Sequence, residues 1–311
     1  MTDVPTGSKL WQPPIVGIIT TVLMFIGVAL GHTVMRVIET KLGDSAYAAS
    51  VWLGAASIIA LWIGVRSRNE TFATWIGFFA GLFVWMTWVE FFYMFYARAQ
   101  FGMLPRMEGD AVRQYPEYVI MSATAGILLF MLAYFIFDKD TRCNMFVWIQ
   151  RRLGLTKGLG VSTLRARDRN YAVITFMETI FVTWFCYQWT LILGDPAFFA
   201  DRADAHVADL ASMVLATIWG GFCFTRLVTY RRTATALRYA LPTANILWVN
   251  VEILSRLGLL TEVWLDPWKY RLEVGVFTAA FFGLMLLIVY APKKPSELGL
   301  HSPTTEDGAA T

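Results

Sequence analysis

The sequence predicts an all-α, polytopic membrane protein of eight transmembrane helices, arranged as two four-helix halves with both termini on the cytoplasmic side. Three observations carry this. Only 16% of the residues are charged and 57% are hydrophobic, whereas a soluble domain carries roughly 25% charged residues. Eight apolar runs are each long enough to cross a bilayer, which takes about 20 residues. Every segment assigned to the inner side contains Lys or Arg, as the positive-inside rule requires.

The runs fall at about 15–36, 46–66, 72–97, 116–137, 171–193, 208–230, 236–257 and 272–291. Lys9 and Pro13-Pro14 precede the first, which is too long for a signal-peptide core and is read as a retained span. With the N-terminus inside, the inner segments hold Lys9, then Arg66 and Arg68, a basic loop from Lys139 to Arg169, Arg226 to Arg238, and Lys293-Lys294. The loop after the fifth run is acidic, with Asp195, Asp201, Asp204 and Asp209.

The chain divides into a first half at 1–137, a basic cytoplasmic linker at 138–170, a second half at 171–291 and a polar, disordered cytoplasmic tail at 292–311. In the linker, Met145, Phe146, Ile149 and Leu153 share a helical face, with Arg151 opposite and Arg152 at the edge. That pattern predicts a helix lying in the membrane interface. The halves correspond faintly: Arg66 and Arg226, and Trp88 and Trp248, stand about 160 apart, whereas Glu117 and Glu273, and Tyr134 and Tyr290, stand about 156 apart. Such spacing suggests a parallel repeat.

A carboxylate inside a span is costly unless it is used or paired. Three qualify: Glu90, in the aromatic run WMTWVEFFYMFY at 85–96, Glu178 and Glu252. At 1.5 Å per residue, Glu90 lies about 27 Å from the inner end of its helix. Glu252 also falls in the outer part of its span, so the two can meet, whereas Glu178 falls in the inner part. Glu117 and Glu273 sit at span ends, where water reaches them. His32, Arg36 and Glu39 share one face of the first helix, and Asn245 and Trp248 lie along the Glu252 face of the seventh. The candidate site is therefore an outward-facing polar pocket. Glu90 and Glu252 would handle protons, and His32 would titrate near neutral pH. The competing reading is that these groups only fix packing, Glu39 with Arg36 and Glu252 with Arg256.

Trp85, Trp88, Trp184 and Trp189, with Phe91, Phe92 and Tyr93, crowd the outer halves of the third and fifth helices. Such walls beside a carboxylate suit a flat hydrophobic ligand such as a quinone, with His32, Arg36, Trp85, Trp88, Tyr93, Glu178, Asn245 and Trp248 as binding candidates. A lipid-facing aromatic surface reads the same way in sequence.

Other chemistries are not signalled. Of three histidines, His206 is assigned to an outer loop and His301 to the tail, which leaves no pair for a haem within the bundle. No HExxH, no P-loop and no mid-span lysine is present. A metal site from His32, Glu90 and Glu252 has weak support. Cys143, Cys186 and Cys223 lack metal-site spacing. The net charge of +3 gives no basis for nucleic-acid binding.

FIGVALG at 25–31, Glu178 in the fifth run and Trp248 with Glu252 in the seventh, set in a four-plus-four plan, resemble the quinol-binding membrane anchors of polysulfide-reductase-type complexes. This is a likeness of plan, not a family assignment. The expectation is a subunit of a bacterial-type inner (plasma) membrane without its own metal cofactor. It would bind a quinone near the outer face and pass electrons to other membrane or periplasmic subunits. The alternatives are a proton- or ion-coupled transporter and a structural or assembly subunit. The sequence assigns no reaction.

Overall fold

The computed structural model describes residues 12–108, 111–138, 144–155, 169–199 and 201–290. Among them are nine helices: α1 (Ile15–Leu42), α2 (Ser45–Arg66), α3 (Glu70–Gln100), α4 (Pro116–Phe137), α5 (Asn144–Arg152), α6 (Tyr171–Gly194), α7 (Arg202–Leu227), α8 (Thr233–Arg256) and α9 (Arg271–Val289). Between α3 and α4 lies a hairpin, β1 (Arg106–Glu108) and β2 (Ala111–Gln114), which pairs Arg106 with Gln114. The tail at 292–311, most of the linker and Cys143 lie outside the described residues; Cys186 and Cys223 are free and buried.

The helix boundaries have local causes. Asn69 caps α3 by accepting from the Thr71 and Phe72 amides, and Asp201 caps α7 through the Ala203 amide. Asn170 accepts from the Val173 amide to start α6, and its Nδ2 donates to the Val65 carbonyl, tying that start to the end of α2. Pro116 occupies the first turn of α4. Gly43 turns the chain between α1 and α2 at φ 50°, a left-handed conformation that favours glycine.

Six helices, α1, α2, α3, α4, α7 and α9, are long and apolar enough to cross a membrane, the mark of a multi-pass membrane protein. The other two of the eight predicted runs are α6 and α8, each 24 residues long. Alpha-eight is the more polar of the two, and both lie at the centre of the bundle. Alpha-eight packs on α1, α6 and α7, and α6 packs chiefly on α3. A helix walled by protein can carry polar groups that a lipid-facing helix cannot. Accordingly α8 holds Arg238, Asn245, Asn250, Glu252 and Arg256, while Ala236, Ala240 and Ala244 are fully buried against its neighbours.

The two sequence halves do not pack as separate four-helix bundles. The first helix of each lies against the third helix of the other, α1 on α8 and α6 on α3. Alpha-three meets α6 through Gly77 and Gly81. A Cβ at Gly77 would stand 2.3 Å from the Ala172 carbonyl oxygen, and one at Gly81 2.9 Å from that of Phe176. This is the small-xxx-small approach that lets membrane helices associate without a hydrophobic driving force.

Three local expectations are revised. Alpha-three is longer than its predicted run and contains two π-helical turns, Trp85–Glu90 and Phe95–Gln100. Alpha-seven begins at Arg202, so His206, Asp204 and Asp209 lie on a helix and not in a loop. Asp209 is only 3% exposed, and its Oδ1 accepts from Arg256 at 2.9 Å. The linker helix is present as α5, but Phe146 and Gln150 are its buried positions and Leu153 is exposed. Gln150 donates to the Ile136 and Asp138 carbonyls, meeting orphan acceptors at the end of α4.

Candidate functional site

A cavity of about 440 Å³ lies among α1, α3, α6 and α8, toward their C-terminal ends. Phe78, Trp85, Tyr118, Tyr187 and Trp248 give it aromatic walls. His32, Glu90, Asn245 and Glu252 also line it. The hairpin covers it with Val112 and Gln114, and the loop between α8 and α9 contributes Glu262 and Leu265. The first, third and seventh predicted runs are thus brought together around one space.

Each of the two carboxylates is held by an indole of its own helix. Trp248 Nε1 donates to Glu252 Oε1 at 2.7 Å, four residues on, as the α-helical repeat allows. Trp85 Nε1 donates to Glu90 Oε1 across five residues. In a regular α-helix those two side chains would point about 140° apart. The π-helical turn at Trp85–Glu90 widens the helix to an i to i+5 repeat and brings them onto one face.

His32 stands opposite Glu252, with Nε2 4.0 Å from Oε1. Its ring stacks on Trp248 with centroids 5.9 Å apart and planes 15° from parallel. Its Nδ1 is 3.0 Å from the Val28 carbonyl oxygen. Arg256 is committed elsewhere: besides Asp209, it donates to the Thr190 carbonyl at 2.6 Å. It joins α6, α7 and α8, and the expected Glu252–Arg256 pairing gives way to Asp209.

A second cavity of about 310 Å³ adjoins the first, and Glu90, His32, Tyr118 and Tyr187 line both. Its far side is an ion-pair chain. Arg36 pairs with Glu39, Glu39 with Arg98 at 2.9 Å, and Arg98 with Glu117 through both carboxylate oxygens. Arg36 Nε also donates to the Leu265 carbonyl. Glu117, placed by sequence where water reaches it, is only 8% exposed and is neutralised by Arg98. The expected pairing of Arg36 with Glu39 is present as one link of this chain.

The remaining candidates divide. Asn245 lines the first cavity while its Nδ2 donates to Leu241 one turn back. Tyr93 and Arg36 line the second cavity only. Trp88 lines neither: its Nε1 donates to the Val51 carbonyl, and its ring fills the space left by Gly54 on α2. Glu178 lines neither cavity. Conversely, Tyr118, Tyr187, Gln114 and Glu262 are in the site and were not anticipated. Gln114 and Glu262 come from connections whose folding back over the bundle leaves no periodic signal.

Burial is the main cause that raises the Glu262 carboxyl above its ordinary range, with nearby Glu252 adding to it; Ser255 and His32 partly offset this. Among the described residues, no group of three or more His, Cys, Asp or Glu side chains is placed to hold a metal ion. His32, Glu90 and Glu252 share the cavity without forming such a group.

The fold and the apolar helices define a multi-pass helical membrane protein. Comparison with protein-family models, with curated proteins and with solved structures found no match.

Proposed function

We propose that the protein is an eight-span subunit of a bacterial-type inner membrane, with both termini cytoplasmic, and that the larger cavity binds a quinone or similar lipid-like ligand near the outer face. Oxidation of a quinol releases two protons and two electrons. Glu90 and Glu252 would take the protons, and a redox partner among neighbouring membrane or periplasmic subunits would take the electrons.

One observation carries the reading: two carboxylates, each fixed by an indole N–H, face a single aromatic-walled space. A volume near 440 Å³ suits a small organic ligand. The second cavity supports a proton route, because Glu90 borders both spaces and the second contains the Glu39–Arg98–Glu117 chain.

The transporter reading has one observation in its favour. Helices of both sequence halves wall the cavity, as in carriers whose halves rock about a central site.

Photolabelling of the membrane-embedded protein with an azidoquinone tests the proposal. Label is expected in the peptides spanning 85–90 and 248–252, with protection by excess unlabelled quinone. Label confined to lipid-facing α2 or α9, without protection, counts against it.

A further inference from the structure

We infer that the larger cavity selects the reduced, dihydroxy form of its ligand over the oxidised, dicarbonyl form. This rests on the quinone reading above and specifies which redox form the site is built to hold.

The hydrogen-bonding character of the lining supports the inference. The Val28 carbonyl can only accept, so His32 Nδ1 at 3.0 Å carries the ring proton. When the ring is neutral it presents a lone pair at Nε2, on the side facing Glu252. Glu90 and Glu252 are acceptors when ionised, and each has spare lone pairs beyond the one used by its indole. Gln114 adds a fourth acceptor. It lines the cavity, is only 5% exposed, and its Oε1 has no hydrogen-bond partner.

Several fixed N–H donors of the lining are already engaged. Those of Trp85 and Trp248 go to the two carboxylates, and the Arg256 guanidinium goes to Asp209 and Thr190. Tyr118 and Tyr187 pack edge to face, with ring centroids 6.4 Å apart. The mobile hydroxyls that remain can serve either role. A hydroquinone brings two O–H donors to acceptors that need them. A quinone brings two carbonyl oxygens to the same lone pairs, and a buried acceptor without a donor is unfavourable.

The test is anaerobic binding of duroquinol and duroquinone to the full chain in lipid nanodiscs, with benzylammonium as a flat cationic competitor. Duroquinol is expected to bind at least about tenfold more tightly at pH 7, because the quinone leaves buried acceptors without a donor. In the Glu90→Gln/Glu252→Gln variant the ratio should fall toward one, since each amide supplies an N–H to a carbonyl. Equal or tighter duroquinone binding by the unaltered protein overturns the inference and leaves the quinone reading standing. Binding of neither form overturns both. Binding of benzylammonium but of neither duroquinol nor duroquinone also overturns both, and points to a cation site. The unaltered protein's ratio decides the question even if the double variant does not fold.

Discussion

Trp85 Nε1 donates to Glu90 Oε1 across five residues, whereas Trp248 Nε1 reaches Glu252 Oε1 across four. The same pair of side chains is thus held in two helices by two different backbone repeats. The π turn in α3 places Glu90 and Trp85 on one wall, while Trp88 packs on α2.

That relationship predicts the behaviour of the indoles. Trp85→Phe and Trp248→Phe keep an aromatic wall and remove the N–H. Each should weaken quinol binding by about tenfold, the effect of losing a hydrogen bond to a charged group. Trp88→Phe should leave binding within about twofold and instead lower the melting temperature, because it loosens the contact with Val51 and Gly54. Binding in nanodiscs and thermal unfolding of the same preparations separate the two effects.

The Arg98 chain predicts a stability effect that is not additive. Arg98→Met leaves Glu117 buried without its cation, at a cost of about 2–4 kcal/mol, moderated because Arg98 is itself partly exposed. Arg98→Met combined with Glu117→Gln should recover much of the loss. A double variant as unstable as the sum of the singles would show that the ion pair is not what holds this corner.

Close helix approach predicts a contrast between glycines. Gly77→Ala puts a methyl 2.3 Å from the Ala172 carbonyl and forces α3 and α6 apart, costing about 1–3 kcal/mol. Gly221→Ala meets nothing within 4 Å and should be neutral or slightly stabilising. Unfolding of both variants in one detergent gives the comparison.

Glu262 predicts a pH dependence. Its carboxyl is raised from 4.5 by burial, so the folded state holds the proton more tightly than the unfolded state. Its contribution is therefore fully present below about pH 4.5 and is lost as pH rises through the raised folded value. Glu262→Gln should flatten the stability profile above pH 4.5. An unchanged slope would assign that dependence to other groups.

The sequence by itself determined the helices and several of the residues that line the candidate cavity. Apolar runs of bilayer length are local, so eight helices at the expected positions could be read from composition and spacing. Carboxylates in such runs are rare enough to single out Glu90 and Glu252, and counting rise per residue placed them at matching depth. What the tertiary structure decided depends on contacts between distant segments or on backbone geometry that leaves no periodic trace. The π turn brings Glu90 onto the face of Trp85, where a 3.6-residue repeat would set the two about 140° apart. Arg256 pairs with Asp209 and not with Glu252 because α7 begins earlier and packs beside α8. Glu117 is buried because Arg98, at the far end of another helix, reaches it. Gln114 and Glu262 enter the site only because two connections fold back over the helix ends. Alpha-eight can carry its polar groups because it occupies the centre of the bundle, where side chains meet protein instead of lipid.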